Sequence, residues 1–237
     1  MARLGMLTPS SNTVLEPVTY DLLRDLPGTT AHFSRFKVTE IGLGQAALGQ
    51  FDDGNILAAA ELLAHAKCDA IAWNGTSASW LGFDRDEALV ARIESATGIR
   101  AATCVLGYRA LFHKLGVKRV GLVTPYTADV QAKIAANWGA AGFQCSAEQH
   151  CGLSENFAFA TVEEARIEAM CRSVVAQGCD AVAIVCTNMR GAAVAARLER
   201  ELGLPVLDSV AVTLWASLRA IGADTTPLKS WGRLFSV

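Results

Sequence analysis

One stretch of this sequence occurs twice. The run Arg3-Leu-Gly-Met-Leu-Thr-Pro9 returns 116 residues later as Arg119-Val-Gly-Leu-Val-Thr-Pro125, with four identities and three apolar exchanges in seven positions. Cys68-Asp-Ala-Ile-Ala-Trp-Asn-Gly-Thr-Ser77 returns 111 residues later as Cys179-Asp-Ala-Val-Ala-Ile-Val-Cys-Thr-Asn188. Ala91-Arg-Ile-Glu with Gly98-Ile99 returns 105 residues later as Ala196-Arg-Leu-Glu with Gly203-Leu204. Three blocks at a slowly shrinking offset mark a duplicated supersecondary unit, and loop deletions account for the shrinkage.

Each copy reads as strand, loop, helix, strand, loop, helix, glycine, strand. Ile56, Ala59, Ala60 and Leu63 fall at i, i+3, i+4 and i+7, the apolar stripe of an amphipathic helix, and Ile167, Met170, Cys171 and Val174 repeat it. Short apolar strands alternating with such helices build parallel sheets, because parallel strands need a crossover and the helix supplies it. Thr161-Val-Glu-Glu164 has the spacing of a capping box opening the second-copy helix, and Gly98 and Gly203 stand where a left-handed residue closes one. The expected fold class is α/β: two pseudo-symmetric lobes, each a parallel sheet flanked by helices, with the active site in the interlobe cleft. The first lobe is placed at 1–114 and the second at 115–214. A C-terminal helical segment, 210–237, with its helix around Val210 to Ile221, is expected to pack back on the first lobe.

Composition narrows the function. With 51% apolar and 19% charged residues the chain is neither disordered nor a linker. Its 21 Lys and Arg against 23 Asp and Glu, without a basic run, argue against a surface that tracks nucleic-acid phosphates. No apolar run approaches the roughly 20 residues of a bilayer span, and the N-terminus enters a strand pattern without the features of a signal peptide. The expected setting is therefore cytoplasmic, with no membrane partner. Seven cysteines, an odd number with no CxxC, fit reduced thiols rather than disulfides or a zinc knuckle. The four histidines lie far apart, and only His150 beside Cys151 has ligand spacing, so no metal is expected. A small-molecule partner remains, and association into a homo-oligomer is left open.

Ligands of open parallel sheets bind beyond the carboxyl ends of the strands. Four loops qualify: Pro9-Ser-Ser-Asn12, Asn74-Gly-Thr-Ser77, Pro125-Tyr-Thr127 and Cys186-Thr-Asn188. They hold hydroxyl and amide groups but no Lys or Arg, and they precede helices, a chemistry suited to anions. Ser11, Asn12, Thr76, Ser77, Thr187 and Asn188 are the candidate ligand-binding residues, and Tyr126 adds a phenol. Cys186 ends an apolar strand, where a thiol can act as acid, base or nucleophile. Cys68 and Cys179 each lie seven residues before their loops, at the amino ends of strands, and belong to the core. Cys104, Cys145, Cys151 and Cys171 read as packing residues, and Asp69 and Asp180 as helix-to-strand turn residues. Trp73, Trp80, Phe83, Phe157 and Phe159 wall either an apolar subsite or the core. The repeat sets Cys186 against position 75, which is Gly75.

These residues resemble the aspartate/glutamate racemase superfamily, whose members pair two pseudo-symmetric α/β lobes with a cysteine from each in the cleft. Pro9-Ser-Ser-Asn12-Thr-Val-Leu-Glu16 and Cys186-Thr-Asn-Met-Arg190 are similar to the maleate cis-trans isomerase branch. Gly75-Thr-Ser77, Tyr126 and Gly232-Arg-Leu-Phe235 are similar to arylmalonate decarboxylase. Glycine at 75, where racemases and maleate isomerases carry their first-lobe cysteine, matches the decarboxylases. Thr187-Asn188, where decarboxylases are glycine-rich, and Asn12 suggest a smaller and more polar substrate than an arylmalonate. The resemblance implies a cofactor-independent, cysteine-dependent decarboxylase of a malonate-type small dicarboxylic acid. Pro9, Gly75, Thr76, Ser77 and Tyr126 would hold a carboxylate, and Cys186 would protonate the enediolate on one face. The alternatives are a maleate cis-trans isomerase or an Asp/Glu-type racemase acting on a small dicarboxylate, and a non-catalytic carboxylate-binding protein.

Overall fold

The computed structural model describes residues 1–51 and 53–237. Its first half contains strands β1 (Ala2–Pro9), β2 (Thr29–Phe36), β3 (Ala70–Trp73) and β4 (Arg100–Thr103). Between and after them run helices α1 (Leu15–Leu23), α2 (Gln45–Gly49), α3 (Asp53–His65), α4 (Ala78–Leu81), α5 (Phe83–Thr97) and α6 (Cys104–Leu115). The second half contains β5 (Arg119–Thr124), β6 (Gln144–His150), β7 (Ala181–Ile184) and β8 (Val206–Asp208), with α7 (Ala128–Ala140), α8 (Glu164–Ala176), α9 (Ala192–Leu202) and α10 (Ser209–Ala220). Each half forms a four-stranded sheet of parallel strands, ordered β2-β1-β3-β4 and β6-β5-β7-β8. The duplicated sequence is a duplicated sheet.

The repeat holds where backbone packs on backbone. Ile56, Ala59, Ala60 and Leu63 of α3, and Ile167, Met170, Cys171 and Val174 of α8, are all buried. The two helices lie close enough that a Cβ on Gly5 of β1 would stand 3.1 Å from Leu63, and one on Gly121 of β5 would stand 2.7 Å from Val174. Glycine persists in both strands because the helix occupies the space of a side chain. Gly98 and Gly203 close α5 and α9 with φ of 69° and 73°, the left-handed caps expected of them. Asp69 and Asp180 accept hydrogen bonds from the amides of Arg3 (2.7 Å) and Arg119 (2.8 Å), pinning equivalent strand starts.

Two expectations need correction. Thr161-Val-Glu-Glu164 does not form a capping box: Thr161 ends a 3-10 turn and donates to the Ala158 carbonyl at 2.8 Å, and α8 starts without a side-chain cap. The segment 210–237 is not one helix. After α10 it continues as two 3-10 turns, and it straddles the lobes, with Trp231 bonded to Asp25 and the Arg233 amide bonded to Glu199.

The helices that end each half are exchanged. α10 packs on β3, β4 and α1 of the first half. α6 reaches the second half, where the Tyr108 hydroxyl donates to the Ile184 carbonyl at 2.8 Å and Phe112 packs on Trp138 and Phe143. The two cross at Gly107, whose Cβ would lie 2.9 Å from Val212. Among the described residues no helix is long and apolar enough to cross a membrane.

Candidate active site

The parallel strands deliver their carboxyl ends to one cleft between the sheets. Pro9 from β1, Gly75, Thr76 and Ser77 after β3, Tyr126 after β5, and Cys186 and Thr187 after β7 line a single cavity of about 20 Å³. Val38, Ile41, Phe51, Trp73, Trp80 and Asn156 complete its walls. A space of that size holds about one water. Val38, Ile41 and Phe51, from the segment after β2, form one apolar wall of it, the cover. That cover is stitched to the second half through Ile41 N–H to the Ser154 carbonyl (2.8 Å) and Asn156 N–H to the Thr39 carbonyl (2.9 Å).

Cys186 is buried, and removal from water pushes its thiol up to about 12. The Asn188 amide, 3.3 Å from Sγ, and the Tyr126 phenol pull the other way, and the carboxyl of Asp208 adds to the rise. The thiol is therefore protonated throughout the neutral range. Tyr126 bridges the lobes: its hydroxyl lies 2.6 Å from the Thr76 hydroxyl, and burial followed by the nearby Cys186 raises the phenol well above its ordinary value. Thr76, Tyr126 and Cys186 thus form a hydrogen-bonded chain of hydroxyl and thiol groups across the cleft.

The other polar loop residues face each other. The Asn12 amide donates to Thr187 Oγ1 at 3.2 Å, and Thr187 donates to the Asn74 carbonyl at 2.9 Å. Asn188 Oδ1 accepts from the amides of Thr13 and Val14, while its Nδ2 donates to the Asn156 carbonyl at 2.6 Å. Asn156 in turn donates to Ser11, and Ser11 to the Val38 carbonyl. Ser11, Asn12 and Asn188 therefore latch the lobes and do not line the cavity.

Arg35 steadies the same loop from β2, donating to the carbonyls of Ser10 and Asn12, both at 2.9 Å, while paired with Glu16. No loop motif signals this cation, because it reaches the loop from the neighbouring strand. The cover residues Val38, Ile41 and Phe51 carry no sequence signal either: they are ordinary apolar residues that the fold brings to the cavity wall.

The aromatic residues divide. Trp73 and Trp80 wall the cavity, Phe159 packs under Tyr126 at a centroid distance of 5.4 Å, and Phe157 is exposed. Phe83 lies on α5 beneath the Arg109 guanidinium. Gly75 lines the same cavity as Cys186, from the other half and without a side chain, and the Trp73 indole occupies the space a Cβ there would need.

Among the described residues the cavity wall offers one protonated thiol, hydroxyl donors on the opposite lobe, and no lysine or arginine. That set can stabilise a carboxylate-derived oxyanion and deliver one proton to carbon. The chain is similar both to arylmalonate decarboxylases and to maleate isomerases. The family model for arylmalonate decarboxylase matches residues 26–235. The arylmalonate decarboxylase of Bordetella bronchiseptica is 25% identical, with 98% of this chain and 95% of that protein covered. The maleate isomerase of Nocardia farcinica is 29% identical, covering 92% of this chain and 90% of that one. A solved structure of a Nocardia farcinica maleate cis-trans isomerase, a cysteine-to-serine mutant with a covalently bound succinylcysteine intermediate, superposes with a TM-score of 0.90 at 21% identity, covering 99% of this chain and 98% of that one.

Proposed function

The chain belongs to the arylmalonate decarboxylase family, and from that premise we propose that it decarboxylates a malonate-type small dicarboxylic acid without a cofactor. One observation carries the choice of reaction: the cleft presents a single thiol, Cys186, while the repeat-equivalent position is Gly75, its Cβ space filled by an indole. A racemase needs a proton-transfer group on each face of the carbon, and this cleft has such a group on one.

The residues divide the work as follows. Thr76, Ser77 and Tyr126 donate to the carboxylate that stays, and Pro9 and Gly75 let it approach the loop backbone. The bond to the other carboxylate breaks, its electron pair passes to the α-carbon and the retained carboxylate, and CO2 leaves. The developing enediolate is stabilised by donors already aimed at it. Cys186 gives its proton to the α-carbon, and the resulting thiolate recovers one from water. A thiol held protonated by burial suits a general acid, and a nucleophile would need the thiolate. Asn12, Thr187 and Asn188, expected as direct ligands, contribute through the latch, with Thr187 also at the cavity wall.

Maleate isomerisation is the second reading, favoured by the higher identity to the Nocardia farcinica enzyme and by the polar Thr187-Asn188 pair. Malonate, methylmalonate and maleate supplied separately in deuterated water decide between them. The expected result is CO2 release from a malonate, with one deuteron entering the product. Conversion of maleate to fumarate without CO2 release from any malonate would establish the isomerase instead.

A further inference from the structure

The first-half wall of the cavity depends on one side chain. Trp73 ends β3, is 1% exposed, and stacks obliquely on Phe36 with ring centroids 5.1 Å apart. Its Cζ2, Cε2 and Cη2 atoms lie 1.9, 2.2 and 2.6 Å from the point a Cβ at position 75 would occupy. Gly75 does not have a positive φ, so its backbone would suit any residue. The indole, not the backbone, is what demands glycine there.

The same ring borders two spaces, together with Phe51 and Ser77. One is the cavity containing Cys186. The other is a chamber of about 10 Å³ that has Asp86 in its wall. The Asp86 carboxyl is 2% exposed and hydrogen-bonded to Thr103, the residue paired with Trp73 on β4, and its Oδ2 has no hydrogen-bond partner among the described residues. A buried oxygen without a partner is costly, and a polar group brought into the chamber would relieve it.

We propose that Trp73 is the specificity-determining residue of the cleft: its indole restricts the acid to a small α-substituent and closes off a subsite, ending on Asp86, for a larger substituent that carries a hydrogen-bonding group. The inference rests on carboxylate binding beside Cys186. With Trp73 in place, the cavity and the chamber each hold about one water. With a smaller residue they merge into one volume that runs from the thiol to the Asp86 carboxyl. The wall of that volume is then apolar along Phe51, Ile56, Leu81 and Leu89, with Arg85 and Asp86 as its charged residues.

Calorimetry with unreactive monocarboxylates tests this directly, using acetate, phenylacetate and 4-hydroxyphenylacetate against the wild-type chain, Trp73→Leu and Trp73→Leu/Asp86→Leu. The affinity ratio of phenylacetate to acetate should rise at least ten-fold in Trp73→Leu. The para-hydroxyl should add a further gain of about three-fold or more, absent once Asp86 is replaced. An unchanged ratio in folded Trp73→Leu overturns the proposal, and a ratio that rises without any hydroxyl gain overturns the Asp86 subsite. Trp73→Phe, a milder change, should give an intermediate ratio and serves if the leucine variant fails to fold. If the wild-type chain binds no carboxylate, the decarboxylase reading falls, and toluene reads the partition by itself: uptake by Trp73→Leu but not by wild type upholds it, and equal uptake or none by both overturns it.

Discussion

The two lobes are built on one plan and diverge at the few positions that face the cleft. Gly5 and Gly121 persist because a helix leans on each, and Asp69 and Asp180 persist because each pins a strand start. At 75 and 186 the copies part, one with no side chain and the other with a thiol. A second divergence lies just behind. The repeat aligns position 86 with 191 and position 103 with 208. The first lobe puts its carboxyl on the helix, as Asp86, against the Thr103 hydroxyl at the strand end. The second puts its carboxyl on the strand end, as Asp208, against Gly191, where a Cβ would lie 2.5 Å from Asp208 Oδ2. At this pair each lobe buries a carboxyl, supplied from opposite members. Thr103 and Asp208 also cap equivalent helices, α6 and α10. The difference teaches that the frame preserves residues whose job is backbone contact, while side chains around the cleft can be exchanged between partners so long as the volume is filled.

The largest expected effect tests the thiol itself. Cys186→Ala should lower kcat by roughly 10²- to 10⁴-fold, the range for a positioned proton-transfer group, while carboxylate affinity measured by calorimetry stays within a few-fold. Near-normal turnover would return Cys186 to the packing residues and erase the functional asymmetry of the lobes. In the wild-type chain, the alkaline fall in kcat belongs above pH 9, because burial carries the thiol to about 12.

The exchanged carboxyls come next. Burial raises both Asp86 and Asp208 to about 7. In the unfolded chain such groups ionise near 4. Between pH 4 and 7 the unfolded chain has shed these protons and the folded one retains them, so each carboxyl subtracts stability as pH rises through that window. The loss per carboxyl is on the order of 4 kcal/mol at the top of the window. Asp86→Asn and Asp208→Asn should therefore gain on the wild type between urea melts at pH 4.5 and pH 7.5, and they should gain alike. A gain in one variant and none in the other would break the equivalence of the two carboxyls.

A smaller effect, on stability, sharpens the comparison at 75. Gly75→Cys would seem to restore a symmetric pair of thiols, but its Cβ collides with the Trp73 indole. The single variant should lose about 1–3 kcal/mol through overpacking. Trp73→Leu in the same background should recover most of it, and the double variant should begin to exchange the α-deuteron of a chiral product acid. Additive stabilities in the double-mutant cycle would mean that the two residues do not touch. The smallest effect is expected at the equivalent aspartates. Asp69→Asn and Asp180→Asn should each cost below about 1 kcal/mol in denaturant melts, since exposed ion pairs contribute little beyond the amide they accept from.

How much of this was legible in the sequence depends on the range of the interaction. The strands, the helix stripes of Ile56 to Leu63 and Ile167 to Val174, and the closing glycines Gly98 and Gly203 follow from local periodicity and cap chemistry, and the offsets between copies carry them from one lobe to the other. The convergence of Pro9, Gly75, Tyr126 and Cys186 follows from the parallel topology. The roles of Asn12 and Asn188 do not, because an amide in a strand-end loop looks the same whether it meets a ligand or the opposite lobe. Thr161 has the spacing of a cap, yet its hydroxyl is taken by the preceding 3-10 turn. Trp73 could be named as a wall, but its position across Gly75 is a matter of side-chain packing that spacing does not encode.

The exchange of α6 and α10 governs how the molecule comes apart. Cut between Leu115 and Arg119, the chain would give two pieces, each carrying a helix whose apolar face belongs to the other and each exposing the place where its own missing helix should lie. Tyr108 would lose the Ile184 carbonyl, and Val212 would lose Gly107. Each piece would expose apolar surface that the other now covers, so the two halves, alike as they are in plan, are expected to unfold together in a single transition.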